Sequence, residues 1–122
     1  MNQAQNTYFN TQITTANPGE LTLMLYSGCV KFLKLALKSM EAGDFEQKNT
    51  YLIKAINIVD ELLITLDMKY EISQSLSSLY IYIKELIIKA NIKTQQEPLF
   101  ESIQLVTELR DTWSEALKLV KS

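Results

Sequence analysis

Thr15-Ala16-Asn17-Pro18-Gly19-Glu20-Leu21, running on into Leu23-Met24-Leu25-Tyr26, is the sharpest local signal in the chain. Asn17 reads as a helix N-cap, Pro18 as the first helical residue and Glu20 as the third. An Asn side chain there accepts from an early backbone N–H, and Glu20 is placed to reach back to the cap. Proline loses nothing at the first position, because its missing N–H has no partner in the helix. A long helix therefore starts at Pro18, and everything before it is a separate element.

On the N-terminal side, residues 1–16 are rich in Asn, Gln and Thr, with Tyr8, Phe9 and Ile13 standing out. They read either as a frayed terminus or as an arm that docks Tyr8 and Ile13 on apolar surface. On the C-terminal side the first helix runs to about Ala42, where Gly43 is a stop signal. One apolar stripe holds Leu21, Leu25, Gly28, Phe32, Leu35 and Ala36. A second holds Leu23, Tyr26, Val30, Leu33, Leu37 and Met40. Surface helices usually carry a stripe a little over about 100° wide; this one covers far more. The first helix is thus central in its domain or meets a partner on one flank. Cys29 lies in this arc and reads as a small buried hydrophobe.

Asp44 is placed to cap a second helix, from Phe45 to about Leu66, with the core face Leu52, Ala55, Ile56, Val59, Leu62, Leu63 and Leu66. Beside it runs a mixed stripe, Ile53, Asn57, Asp60 and Ile64, whose spacing puts all four on one face. The third helix spans about Glu71 to Ala90, with a seam of Ile72, Leu76, Leu79, Ile83, Leu86 and Ala90 and with Ile81 and Ile88 on the opposite side. Asn91 fits its left-handed cap. Pro98 is expected at the first position of a fourth helix, with the stripe Leu99, Ile103, Val106, Leu109, Trp113, Leu117 and Val120. Four long helices with short connections predict an all-α, antiparallel up-down-up-down four-helix bundle over residues 17–122, preceded by a flexible arm over residues 1–16.

Composition narrows the function. The 122 residues are 47% hydrophobic with a net charge of −2, enough for one core and without the basic excess of a nucleic-acid binder. No stretch has the length of a membrane span. The N-terminus lacks the pattern of a signal peptide. A cytoplasmic protein is therefore expected. There is no histidine and only one cysteine. The commonest general base and metal ligand are absent, so neither a metal nor another cofactor is expected. No phosphate-binding or nucleophile motif occurs. A binding protein is expected rather than an enzyme. The excess helical apolar surface leaves three uses open: a groove for a partner helix, a homodimer interface, or cover by the chain's own arm.

Specific residues then carry a resemblance. Tyr8 and Ile13 are followed by Thr15-Ala16-Asn17-Pro18-Gly19-Glu20-Leu21, Met24-Leu25-Tyr26-Ser27-Gly28 and Phe32-Leu33. Further on come Lys54-Ala55-Ile56-Asn57-Ile58-Val59-Asp60-Glu61-Leu62, Leu66-Asp67, Leu79-Tyr80-Ile81-Tyr82, Ala90-Asn91 and Leu109-Arg110-Asp111-Thr112-Trp113. In this order and spacing they resemble the flagellar export chaperone family FliS along nearly the whole chain. Ser27 stands where that family usually has Asp.

The resemblance implies a chaperone of the bacterial cytosol that binds the disordered C-terminal segment of flagellin. Such a protein prevents premature polymerisation and delivers the client to the type III flagellar export gate. It also implies an N-terminal arm that lies over part of the site. Candidate client contacts are Tyr8 and Ile13 in the arm, and Leu23, Tyr26, Ile53, Asn57, Asp60, Ile64, Ile81 and Tyr82 in the bundle. For Tyr26, core packing is the competing reading. For Asn57 and Asp60 it is a solvated helix face. A homodimer built on Ile81 and Ile88 remains the alternative use of the surface.

Overall fold

The structure, a computed structural model, describes residues 17–121. Tyr8 and Ile13, and with them the expected arm, lie outside the described residues. Four helices follow one another: α1 (Pro18–Glu41), α2 (Phe45–Ile64), α3 (Glu71–Lys93) and α4 (Gln96–Lys121). Among the described residues there is no strand. Both α1 and α3 pack against α2 and α4, so the helices form a ring around one core, the expected four-helix bundle.

The start signals act as their chemistry requires. The Asn17 side chain accepts from the Glu20 N–H at 2.9 Å, and Asp44 accepts from the Gln47 N–H at 3.1 Å. Gly43, with φ of 74°, makes the left-handed turn between α1 and α2 that residues with a Cβ resist. The beginning of α1 is also tied across the bundle. Trp113 Nε1 on α4 donates to the Gly19 carbonyl at 2.8 Å. A Cβ at Gly19 would stand 2.8 Å from Leu117 Cδ2, so glycine lets the two helix ends approach.

The core is built on Leu25, Cys29, Leu33 and Ala36 of α1, Leu52, Ala55, Val59 and Leu62 of α2, Ile83, Ile87 and Ala90 of α3, and Leu99 and Val106 of α4. Cys29 is fully buried, as expected. The wide apolar arc of α1 is consumed by packing on both flanks. Phe32 stacks on Tyr51 of α2 with centroids 6.1 Å apart, and Tyr26 meets Trp113 of α4 edge-on at 6.5 Å. Every large apolar side chain of α1 is buried or half-buried, so the unused apolar surface lies elsewhere.

Four local expectations are corrected. On α3 the buried seam is Ser73, Tyr80, Ile83, Leu86, Ile87 and Ala90, while Ile72 is exposed and Leu76 and Leu79 are half-buried. The helix is turned by roughly 40° from the expected seam. The cause is Tyr80, whose hydroxyl has a buried partner on Tyr26 and so belongs inside. On α2, Ile58 joins the core because Gly28 of α1 leaves it room: a Cβ there would lie 3.3 Å from Ile58 Cδ1. At the end of α3, Asn91 is still helical and the left-handed cap falls on Thr94, with φ of 50° and ψ of 48°. Finally, α4 begins at Gln96, so Pro98 sits within the first turn, where a missing N–H still costs no intrahelical bond. Its stripe leaves the core before Val120, which is exposed.

Candidate functional site

Two polar bridges join the outer sides of α2 and α3. Lys84 Nζ donates to Asp60 Oδ1 at 2.7 Å. Asn91 Nδ2 donates to Asn49 Oδ1 at 2.7 Å. Together they tie α2 and α3 in antiparallel order, with Ile53 and Ile64 along α2 and Ile81 and Ile88 along α3 on either side of the Asp60–Lys84 bridge. All four isoleucines are exposed: Ile53 at 46%, Ile64 at 74%, Ile81 at 47% and Ile88 at 37%. Beyond the Asn49–Asn91 bridge, Phe45 at the start of α2 and Ile92 near the end of α3 are both exposed.

The result is a face with apolar side chains separated by polar bridges. Ile64 and Ile81 come first; the Asp60–Lys84 bridge, with exposed Asn57 on the same stripe of α2, comes next. Then come Ile53 and Ile88, the amide bridge, and Phe45 with Ile92. Phe45 to Ile64 spans the 20 residues of α2, or about 28 Å of helix. Exposed apolar surface of this extent, edged by polar groups, is a candidate interaction surface.

The floor at the α3 C-terminus is held by an uncommon element. Lys48 is almost fully buried, and its Nζ donates to the Asn91 carbonyl at 3.1 Å. Carbonyls in a last helical turn lack intrahelical partners, and the helix dipole favours a cation there. The ammonium also lies 5.9 Å from the Phe45 ring centroid. Lys48 thereby fixes the end of α3 and the Phe45 ring together.

Among the described residues, the expected site residues divide among four places. Ile53, Asn57, Asp60, Ile64 and Ile81 come together on the α2–α3 face. Tyr82 lies on the other flank of α3, where its hydroxyl donates to the Glu101 carboxylate of α4. That hydrogen bond raises the Tyr82 pKa above its ordinary value. Leu23 is half-buried on the α4 flank of α1, away from this face. Tyr26 is 1% exposed at the centre of the bundle and is a core residue. Phe45, Lys48 and Ile92 adjoin the α2–α3 face without a signal in the sequence. Phe45 begins a helix and carries no periodic signal of its own. Ile92 lies beyond the expected end of α3 at about Ala90, capped by Asn91, where the helix in fact continues to Lys93.

Comparison with known proteins decides the family. The pattern of the family described as Flagellar protein FliS matches residues 1–120. The chain belongs to the FliS family. It is 45% identical over 111 residues to the Flagellar secretion chaperone FliS of Bacillus subtilis (strain 168), covering 91% of this chain and 84% of that one. It is 31% identical to the Flagellar secretion chaperone FliS of Escherichia coli (strain K12), covering 86% of this chain and 79% of the other. The corresponding chaperone of Campylobacter jejuni is 30% identical, covering 93% and 91%. FliS is a family of flagellar secretion chaperones and not of enzymes. Among the described residues no helix is long and apolar enough to cross a membrane.

Proposed function

We propose that this chain holds the disordered C-terminal segment of flagellin in the bacterial cytosol and presents it to the flagellar export gate. The observation that carries the reading is the exposed α2–α3 face, with its apolar side chains on the outside of the bundle. Membership of the FliS family supplies the client class.

The physics of the task fits such a surface. A client end that pairs with other flagellins presents an amphipathic stripe. A chaperone that covers this stripe removes it from polymerisation. Ordering a disordered segment costs several kcal/mol, so affinity must come from a long contact rather than a deep pocket. A face about 28 Å long along α2 accommodates five turns of helix. Release needs no nucleotide: competition for the client at the gate suffices.

Calorimetric titration of the chain with a peptide copying the C-terminal segment of the host's flagellin tests this. Saturable binding at micromolar concentration or tighter is expected. No heat and no shift in stability at that concentration would sink the proposal. The competing use of the face, a pair of these chains meeting through Ile81 and Ile88, would instead show as a concentration-dependent dimer in sedimentation.

A further inference from the structure

The Asp60–Lys84 bridge lies between apolar side chains, and any helix seated on this face must cover it. Its two side chains are 42% and 34% exposed, so water still solvates both in the free protein. A purely apolar helix would strip that water and return no hydrogen bond, which is costly for charged groups. On α3 these are Ile81 and Ile88, seven residues or about 10.5 Å apart, which is two helical turns.

Resting on the proposed client role, we infer that this face selects a helical segment of defined pattern. It takes apolar residues at i and i+7 with one uncharged polar residue, an amide or a hydroxyl, between them at i+3 or i+4. The apolar pair seats on Ile88 and Ile81 of α3, with Ile53 and Ile64 of α2 flanking it more widely, eleven residues apart. The polar residue faces the bridge. An amide suits both halves, since its NH2 donates to Asp60 while its carbonyl accepts from Lys84, and a hydroxyl does the same with one group. A lone charge would meet a like charge on one partner of the bridge. The bridge is thus a specificity element; as a part-exposed pair it adds little to stability.

The test uses the full chain and the flagellin C-terminal peptide, with each polar residue of the peptide replaced singly by Leu. Titrations are run against the parent protein, the D60L/K84M variant and the D60N/K84Q variant, all checked for helicity. One Asn, Gln, Ser or Thr flanked by apolar residues at the stated spacing is expected to be decisive. Its replacement by Leu weakens binding to the parent about tenfold or more, the consequence of leaving buried polar groups unpaired. The same loss is expected with D60N/K84Q, which keeps polar groups on the face, and no loss with D60L/K84M. If every Leu-substituted peptide binds the parent undiminished, or if the loss is equal in all three proteins, the inference is overturned while the client role stands. If the unmodified peptide does not bind, the client role itself fails and the inference with it.

Discussion

The hydroxyls of Tyr26 on α1 and Tyr80 on α3 meet at the centre of the bundle and hydrogen-bond to each other across its diagonal. Their rings are edge-on at 6.3 Å, and Tyr26 touches Trp113 of α4 in the same manner. Two helices are thereby keyed by one polar contact inside an apolar core, and a third joins them through an aromatic ring. Such a contact specifies rotation as well as adding energy, because only one setting of α3 lets the Tyr80 hydroxyl find its partner.

Removing one hydroxyl should therefore cost more than removing both. Tyr80→Phe leaves the Tyr26 hydroxyl buried and unpaired, and a loss of about 1–3 kcal/mol is expected. In the Y26F/Y80F double variant neither orphan remains, and the loss should fall well short of the sum of the single variants. Urea unfolding of the four proteins measures this directly.

The same burial sets the alkaline limit of stability. Desolvation raises the pKa of Tyr26, with the Tyr80 hydrogen bond pulling partly the other way, and raises that of Tyr80 further. Burial pushes the Cys29 thiol up from 9.0 to about 12. In the unfolded chain these groups lose protons near their ordinary values, while the folded chain retains them. Stability should thus be full below about pH 9 and fall as the pH rises through 10 and beyond. Urea midpoints at pH 8, 9, 10 and 11 check the sign. A thiol reagent at pH 8 should modify Cys29 only as fast as the protein opens.

Thr94 closes α3 in the left-handed region, at φ of 50°. A β-branched residue there is strained, by about 1–2 kcal/mol on general grounds. Thr94→Gly should accordingly stabilise the protein, by about 1 kcal/mol after the entropy cost of glycine. Thermal unfolding of the variant measures this, with no change expected in client binding.

What could be read from the sequence follows the reach of each signal. Asn17 and Asp44 act through neighbours three residues away, and both caps are found as expected. Helix number and the core side of α1 rest on strong periodicity and also hold, while α2 keeps its expected side with Ile58 added. The rotation of α3 does not, because its apolar residues fit two adjacent seams and the partner of Tyr80 lies 54 residues away. The mixed stripe Ile53, Asn57, Asp60 and Ile64 was visible as a misfit to both core and solvent. Its companion on α3 was visible as Ile81 and Ile88. That the two form one face depends on the Asp60–Lys84 and Asn49–Asn91 contacts, which no local pattern encodes. Lys48, almost buried against the end of α3, reads in sequence as an ordinary surface lysine.

The α2–α3 face as the client site is tested most directly by placing a charge on each side of it. Ile53 and Ile81 are both about half exposed, so the I53D/I81D variant should keep its helical signal and unfold cooperatively. Calorimetric titration with the flagellin C-terminal peptide should show binding weakened at least about tenfold relative to the parent chain. Undiminished affinity in a folded I53D/I81D variant would contradict the assignment of this face.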